Sequence, residues 1–339
     1  MAAALIARAA ERYGDLEIIV ANVFGLQEGA RRDLFTNKLG AMMERLASPM
    51  GAFFILPALQ RDLGPLYPWR RLKAQLDALE ALIMGEIADR RAGLAQPANA
   101  GGTPAPPANA GGERRDDILS LLLETRDEDG QGMPDREIRD QLVTLLAGGH
   151  ETTASSLAWA LERILAHPEV HDRLVAEIDE ATAQGKTAAV DLAGLEYLDA
   201  TLKEVLRQRP SVPQIGRVLT RPMVLRDHEI PAGAMVSPSI FLTHRRPDLY
   251  PEPEAFQPER FLDHKKIDPY AYFPFGGGSR RCLGAAFATQ EMKIVLGTVL
   301  RQWRLRLVDK PPLAPAARSV FFAPAGGTRV VAEDRRLPS

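Results

Sequence analysis

Phe275-Gly276-Gly277-Gly278-Ser279-Arg280-Arg281-Cys282-Leu283-Gly284 contains the only cysteine in a chain of 339 residues. A solitary cysteine in a turn is ordinarily a small buried hydrophobe. This one sits in a loop built differently. Three successive glycines permit positive φ and the close approach of a flat ligand, and backbone N–H groups turned toward a sulfur stabilise its anion. Arg280 and Arg281 add positive potential and carboxylate-gripping forks. The stretch from Ala285 to Trp303 then reads as a helix, so the loop predicts a thiolate presented just ahead of a helix start.

The remainder of the chain bounds the possibilities. Hydrophobic residues make up 45% and charged residues 25%, with a formal net charge of -2. Such a chain can bury a large core, and it lacks the excess positive field of a general nucleic-acid binder. One cysteine excludes an intramolecular disulfide framework and a multi-cysteine zinc or iron–sulfur site, and it fits a reducing cytoplasm. No apolar run reaches the length of a membrane span. Arg8 and Glu11 interrupt the start, Met1 to Arg8, where a signal peptide would continue its hydrophobic region, so a soluble cytoplasmic protein is expected.

Periodicity predicts a mainly α fold with a minor β component. Apolar steps of three and four residues mark helices over Leu16 to Phe24, Arg31 to Leu46 and Arg71 to Arg91, with prolines 49, 57, 65 and 68 in the connections. Residues 96–112 repeat Pro-Ala-Asn-Ala-Gly-Gly twice and read as a flexible surface loop. A long helix follows from Asp135 to Leu165, ended by His167-Pro168. Two more run from Val170 to Ala183 and from Asp199 to Arg209. Segments Arg217 to Val224, Val224 to Ile230 and Met235 to Ile240 carry β-formers between turn signals and predict one small sheet. The tail from Leu305 to Val331 reads as strands and turns.

In the long helix, Gly148-Gly149-His150-Glu151-Thr152-Thr153 interrupts an apolar face. Two glycines weaken the helix, and a threonine hydroxyl competes for backbone carbonyls, which predicts a groove for a small ligand or water. Glu151 and Thr152 beside it are candidates for proton relay. His150-Glu151 also begins the zinc pattern His-Glu-x-x-His, but Ala154 stands where the second histidine would be. Glu204 and Arg207, three apart on a helix rich in Leu202, Val205 and Leu206, predict a buried ion pair that needs further partners. Of the other histidines, His167, His171, His228, His244 and His264 lie near prolines, charges or turns and are expected at the surface.

The cysteine loop, read as Phe-x-x-Gly-x-Arg-x-Cys-x-Gly, resembles the haem-thiolate loop of the cytochrome P450 family at every specified position. Gly148, Gly149, Glu151 and Thr152 resemble that family's oxygen-binding helix, Ala/Gly-Gly-x-Asp/Glu-Thr. Glu204-x-x-Arg207 and Pro258-Glu259-Arg260-Phe261 resemble its Glu-x-x-Arg and Pro-Glu-Arg-Phe segments, and His244-Arg245-Arg246-Pro247-Asp248-Leu249-Tyr250-Pro251 looks like the bacterial members. All four motifs occur in family order.

The resemblance implies a single cytochrome P450 domain over residues 1–339 that binds haem b, with Cys282 as the axial iron ligand and Phe275, Gly276, Gly278, Gly284 and Gly149 beside the cofactor. It implies Arg217 and Arg280 as partners of the haem propionates, and a structural role for Glu204, Arg207 and Arg260. The activity implied is insertion of one atom of dioxygen into a small apolar substrate, with Glu151 and Thr152 delivering protons. Electrons would come from a ferredoxin and its NAD(P)H-dependent reductase, docked through cations such as Arg245, Arg246, Lys265 and Lys266. A peroxide-driven peroxygenase and a haem-binding protein without activity are the alternatives. No Trp-x-x-x-Arg, the resemblance's further propionate-binding pattern, occurs in residues 1–60, so an N-terminally shortened fold is expected.

Overall fold

The computed structural model describes residues 20, 23–26, 29–46, 68–94, 117–262, 268–318 and 321–336. The 96–112 loop, prolines 49, 57 and 65, His264, Lys265, Lys266 and most of the Leu16 to Phe24 segment lie outside them. The chain divides into two compact units between Glu151 and Thr152.

In the first unit, helices α1 (Ala30–Leu46), α2 (Pro68–Leu94) and α3 (Ile118–Glu124) and the first part of α4 (Asp135–Ala166) bury one apolar cluster. Phe24, Phe35, Leu39, Ile83, Ile87, Leu119, Ile138, Leu142 and Leu146 form its centre. Arg90 is buried among them, with Nε on Glu86 at 2.9 Å and Nη1 on Asp117 at 3.1 Å and Ser120 at 3.0 Å. Asp117 also caps α3 by accepting the Ser120 N–H at 2.9 Å. A buried guanidinium needs this many acceptors to offset its desolvation. Gly25 lies against the same cluster with φ of +59°, and a Cβ there would fall 2.3 Å from Asp117 Oδ2. Only glycine fits both the conformation and the space.

The second unit continues α4 and adds α5 (Pro168–Ala183), α6 (Ala189–Ala193) and α7 (Glu196–Gln208). Strands β1 (Arg217–Val218), β2 (Met223–Leu225), β3 (His228–Ile230) and β4 (Met235–Val236) follow, then α8 (Ile240–Thr243) and α9 (Ala285–Gln302). The chain closes with β5 (Trp303–Leu307), β6 (Pro315–Arg318), β7 (Phe321–Pro324) and β8 (Val330–Arg335). Trp159, Ile164, Leu174, Ile178, Leu198, Leu202, Val205, Met292, Leu296 and Leu300 form its core. Helix α9 packs closely on α6 because Gly297 has no side chain; a Cβ there would stand 3.1 Å from Leu192 Cβ.

Acidic Asp135 and Glu137 open α4 and Arg163 closes it, as the helix dipole favours. His167 precedes Pro168, which takes the first turn of α5. The expected single small sheet resolves into separate two-stranded antiparallel ladders, β1 with β4 and β2 with β3, and the tail into β5 with β8 and β6 with β7. The turn between β2 and β3 lies one residue earlier than its sequence signal. Arg226 takes the positive φ, 53°, while His228 already pairs with Leu225. The short helices α3, α6 and α8 have too few turns to show an apolar period.

Among the described residues no helix is long and apolar enough to cross a membrane.

Candidate functional site

The cysteine loop is closed by its own backbone. Cys282 donates its N–H to the Phe275 carbonyl at 2.9 Å, and Gly276 donates to the Phe273 carbonyl at 2.9 Å. Of the three glycines only two use their special freedom: φ is 73° at Gly276 and 67° at Gly278, while Gly277 is extended at -153°. Gly278, Ser279 and Arg280 form one 3₁₀ turn, and Gly284 then caps α9, accepting the Ala288 N–H at 2.8 Å. Cys282 is exposed and unbonded to another sulfur. A Cβ built at Gly277 or Gly278 would meet nothing within 4 Å, and one at Gly284 would meet only the Cys282 Sγ, at 4.0 Å. The ground beside the thiol is therefore bare, which fits a planar ligand seated on that sulfur. Arg280 is exposed in the same loop.

Arg217 stands in β1, half-buried, with Nη1 on the Gly216 carbonyl at 2.8 Å. The segment that leads to it comes up to the loop: a Cβ at Gly276 would lie 3.7 Å from Ile215 Cδ1. Ile215 is held by its N–H on the Pro238 carbonyl at 3.1 Å.

Glu204 and Arg207 are fully buried and joined by two parallel bonds, Nε to Oε2 at 2.7 Å and Nη2 to Oε1 at 2.8 Å. Their further partners come from distant sequence. Arg207 donates to the carbonyls of His244 at 2.7 Å, Pro253 at 2.8 Å and Ala255 at 3.4 Å, and Glu204 accepts the Gln257 N–H at 2.9 Å. Arg260 completes the group with Nε 3.6 Å from Glu204 Oε1 and Nη2 on the Glu252 carbonyl at 2.9 Å. The structure thus brings Glu204, Arg207 and Arg260 together. Such a set satisfies both buried charges, the condition under which a buried pair persists.

Helix α4 runs without a break through Gly148, Gly149, His150, Glu151, Thr152 and Thr153. One turn further on, two hydroxyls converge on the Thr152 carbonyl. Ser156 Oγ lies 2.9 Å and Ser211 Oγ 3.1 Å from the Thr152 oxygen, and the two hydroxyls are 2.6 Å apart. Side-chain hydroxyls compete in this way with the helical ladder. Strand β7 fixes Ser211 in turn: Phe322 donates its N–H to the Ser211 carbonyl at 2.8 Å, and Trp159 Nε1 donates to the Phe322 carbonyl at 3.1 Å. Glu151 and Thr152 are half-buried and consecutive, and burial pushes the pKa of His150 down.

Two expectations need correction. His244 is not at the surface but completely enclosed. Nor is Arg245 a free surface cation: it donates to the Gln208 carbonyl at 2.7 Å, pairs with Glu254 at 3.1 Å and lies 3.7 Å over the Phe241 ring. Arg246 is exposed, bound to Asp248 at 3.0 Å. Both corrections have one cause. The turn after α8 folds back on α7, so the polar sequence His244-Arg245 satisfies backbone carbonyls instead of water. Sequence reasoning also passed over Ser156 and Ser211, whose pairing across 55 positions leaves no local signal.

The family description "Cytochrome P450" matches residues 16–328. "Putative cytochrome P450 135B1" of Mycobacterium tuberculosis is 40% identical over 315 residues, which are 93% of this chain and 61% of that protein. "Putative cytochrome P450 138" of the same species is 38% identical over 285 residues, 83% of this chain and 57% of that protein. The chain therefore spans about three fifths of the length of the curated relatives it matches. Among solved structures, a retinoic-acid-bound cyanobacterial CYP120A1 superposes with a TM-score of 0.76 at 28% identity, covering 95% of this chain and 67% of that one. The haem domain of cytochrome P450DA gives 0.76 at 25% identity, covering 97% and 68%.

Proposed function

The chain belongs to the cytochrome P450 family, and on that premise we propose that it is a haem-thiolate monooxygenase with Cys282 as the axial ligand. The family is one of haem b proteins. When bound, the haem iron supplies the activation of dioxygen, and one oxygen atom enters a small apolar substrate. The observation that carries the reading is the exposed Cys282 sulfur on a glycine-paved loop that its own backbone closes.

Each residue then has a task at a stated atom. The Cys282 sulfur is held by its backbone bond to Phe275, whose ring would flank the cofactor, with Gly276, Gly278 and Gly284 leaving room for a flat ring beside the sulfur. Arg280 and Arg217 offer guanidinium forks for the haem carboxylates. Thr152 offers its hydroxyl and Glu151 its carboxylate for proton delivery on α4, and Gly149 keeps that part of the helix bare of side chain. Ser156 and Ser211 hold the Thr152 carbonyl, which steadies the peptide that carries the relay hydroxyl. Glu204, Arg207 and Arg260 act through the protein core and do not touch the substrate.

Electrons are proposed to arrive from a ferredoxin and its NAD(P)H-dependent reductase, with the protein in the cytoplasm. Arg246 is the one cation of the expected docking set that the described structure leaves at the surface; Lys265 and Lys266 lie outside the described residues. Charge reversal at Lys265 and Lys266 should slow reduction if they dock the partner, and unchanged reduction kinetics reject that role.

The deciding experiment is a reduced carbon monoxide spectrum of the haem-loaded protein. A red-shifted Soret band is the expected result and reports an intact thiolate ligand; its absence overturns the reading.

A further inference from the structure

His244 caps the C-terminus of α8 and is completely buried. Its ring has two backbone partners of opposite kind. Nε2 lies 3.0 Å from the Phe273 amide nitrogen, which can only donate, so Nε2 must be the bare, accepting nitrogen. The neutral ring then carries its proton on Nδ1, which faces the Arg207 carbonyl at 3.3 Å. The His244 carbonyl meanwhile accepts Arg207 Nη1 at 2.7 Å. The ring stacks on Tyr272, centroids 5.3 Å apart and planes 15° from parallel, with Tyr250 and Phe273 edge-on at 6.2 and 5.4 Å. A second ring proton would confront the Phe273 N–H and add a cation beside Arg207 and Arg245.

What lies beyond Phe273 gives the contact its meaning. The Phe273 carbonyl accepts the Gly276 N–H, and the Phe275 carbonyl accepts the Cys282 N–H. A short relay of backbone bonds therefore runs from the His244 ring to the residue that presents the sulfur. Two tyrosines brace the same segment, Tyr250 Oη on the Ala271 carbonyl at 3.0 Å and Tyr272 Oη on the Lys203 carbonyl at 3.1 Å.

We propose that neutral His244 is a positioning residue for the cysteine loop: it ties the buried Glu204–Arg207 pair to the Phe273 peptide and so fixes where the Cys282 sulfur is presented. The proposal rests on the haem-thiolate reading. Partners outside the immediate ligand commonly orient a metal ligand in this manner.

Two substitutions separate the halves of the link. The amide of His244→Gln reaches the place of Nε2, where its carbonyl oxygen can accept from Phe273. The amide of His244→Asn reaches only the place of Nδ1, where its NH₂ can donate to Arg207. The haem-loaded wild type and both variants are compared by the red-shifted fraction of the reduced carbon monoxide spectrum, haem reduction potential, haem release rate and melting temperature. Expected are a near wild-type band and potential for Gln. For Asn, a displaced potential, a loss of the red-shifted fraction and haem release about tenfold faster are expected. Equal band fractions and potentials in the two variants overturn the proposal, because a merely structural histidine would be missed equally by both. Should His244→Asn not fold, the Gln variant decides: a kept band supports the link and a lost band overturns it. A wild type without the red-shifted band would instead overturn the haem-thiolate reading itself.

Discussion

The Phe275 carbonyl and the Cys282 N–H meet at 2.9 Å, seven positions apart, and this single backbone bond closes the loop on which the exposed sulfur stands. The bond leaves the thiol side chain outside the ring it closes, so replacing that side chain removes a ligand without removing the loop. Cys282→Ser is therefore expected to fold with a melting temperature close to wild type in the haem-free state and to lose the red-shifted Soret band. Retention of that band, or of substrate oxygenation, in the serine variant would contradict the assignment.

Gly278 has φ of 67° with open space where a side chain would go. Gly278→Ala meets no clash, and its cost is the left-handed backbone alone, about 1–2 kcal/mol. Chemical denaturation of the apo-protein measures this directly. A variant as stable as wild type would mean that the loop relaxes out of the observed conformation.

Arg207 leaves a buried carboxylate behind when it is removed. Arg207→Met is expected to lower stability by about 3–5 kcal/mol and to reduce haem incorporation in parallel. The double variant Glu204→Leu/Arg207→Met should recover only part of the loss, because the buried His244 carbonyl would lose the Arg207 donor. A denaturant series on the four proteins of the cycle checks both statements.

Burial holds the pKa of His244 down to about 4, with Arg207 and Arg245 adding to the depression against an opposing hydrogen bond to the Arg207 backbone. The unfolded chain takes up this proton near pH 6.5 and the folded chain only near 4. Stability from the neutral ring is thus complete above about 6.5 and is lost as the pH falls toward 4, a decline on the order of 3 kcal/mol. His150, lowered in the same direction, adds to it. In His244→Gln the slope of unfolding free energy against pH between 6.5 and 4 should flatten, and an unchanged slope would remove His244 as its source.

Thr152→Ala deletes the proposed relay hydroxyl but leaves the main-chain carbonyl that Ser156 and Ser211 hold. Oxygenation with dioxygen and redox partners should fall by about 10²-fold or more while turnover driven by hydrogen peroxide survives. Equal loss by both routes would assign the residue to substrate or haem binding instead.

Much of this fold is legible in the sequence, and the reason is length. The 32 residues of α4, the 16 of α5 and the 18 of α9 each repeat their apolar face over several turns. Local chemistry also made the cysteine loop and the Glu204–Arg207 spacing readable, since each is set by a handful of adjacent residues. The four separate ladders were not readable, because strands of two to six residues depend on partners rather than on their own pattern. His244 shows the limit most clearly. Flanked by Arg245, Arg246 and Asp248, it has every local mark of an exposed residue, and only the fold-back of α8 onto α7 makes it part of the core.

Arg207 is enclosed by carbonyls from His244, Pro253 and Ala255, stretches roughly forty to fifty positions away along the chain. An intermediate that had dehydrated the guanidinium before those stretches arrived would carry an ion without its shell, at the cost of an unpaired buried charge. Water is therefore expected to leave the pair only as those stretches close around α7, since the charge needs their carbonyls as soon as it is enclosed.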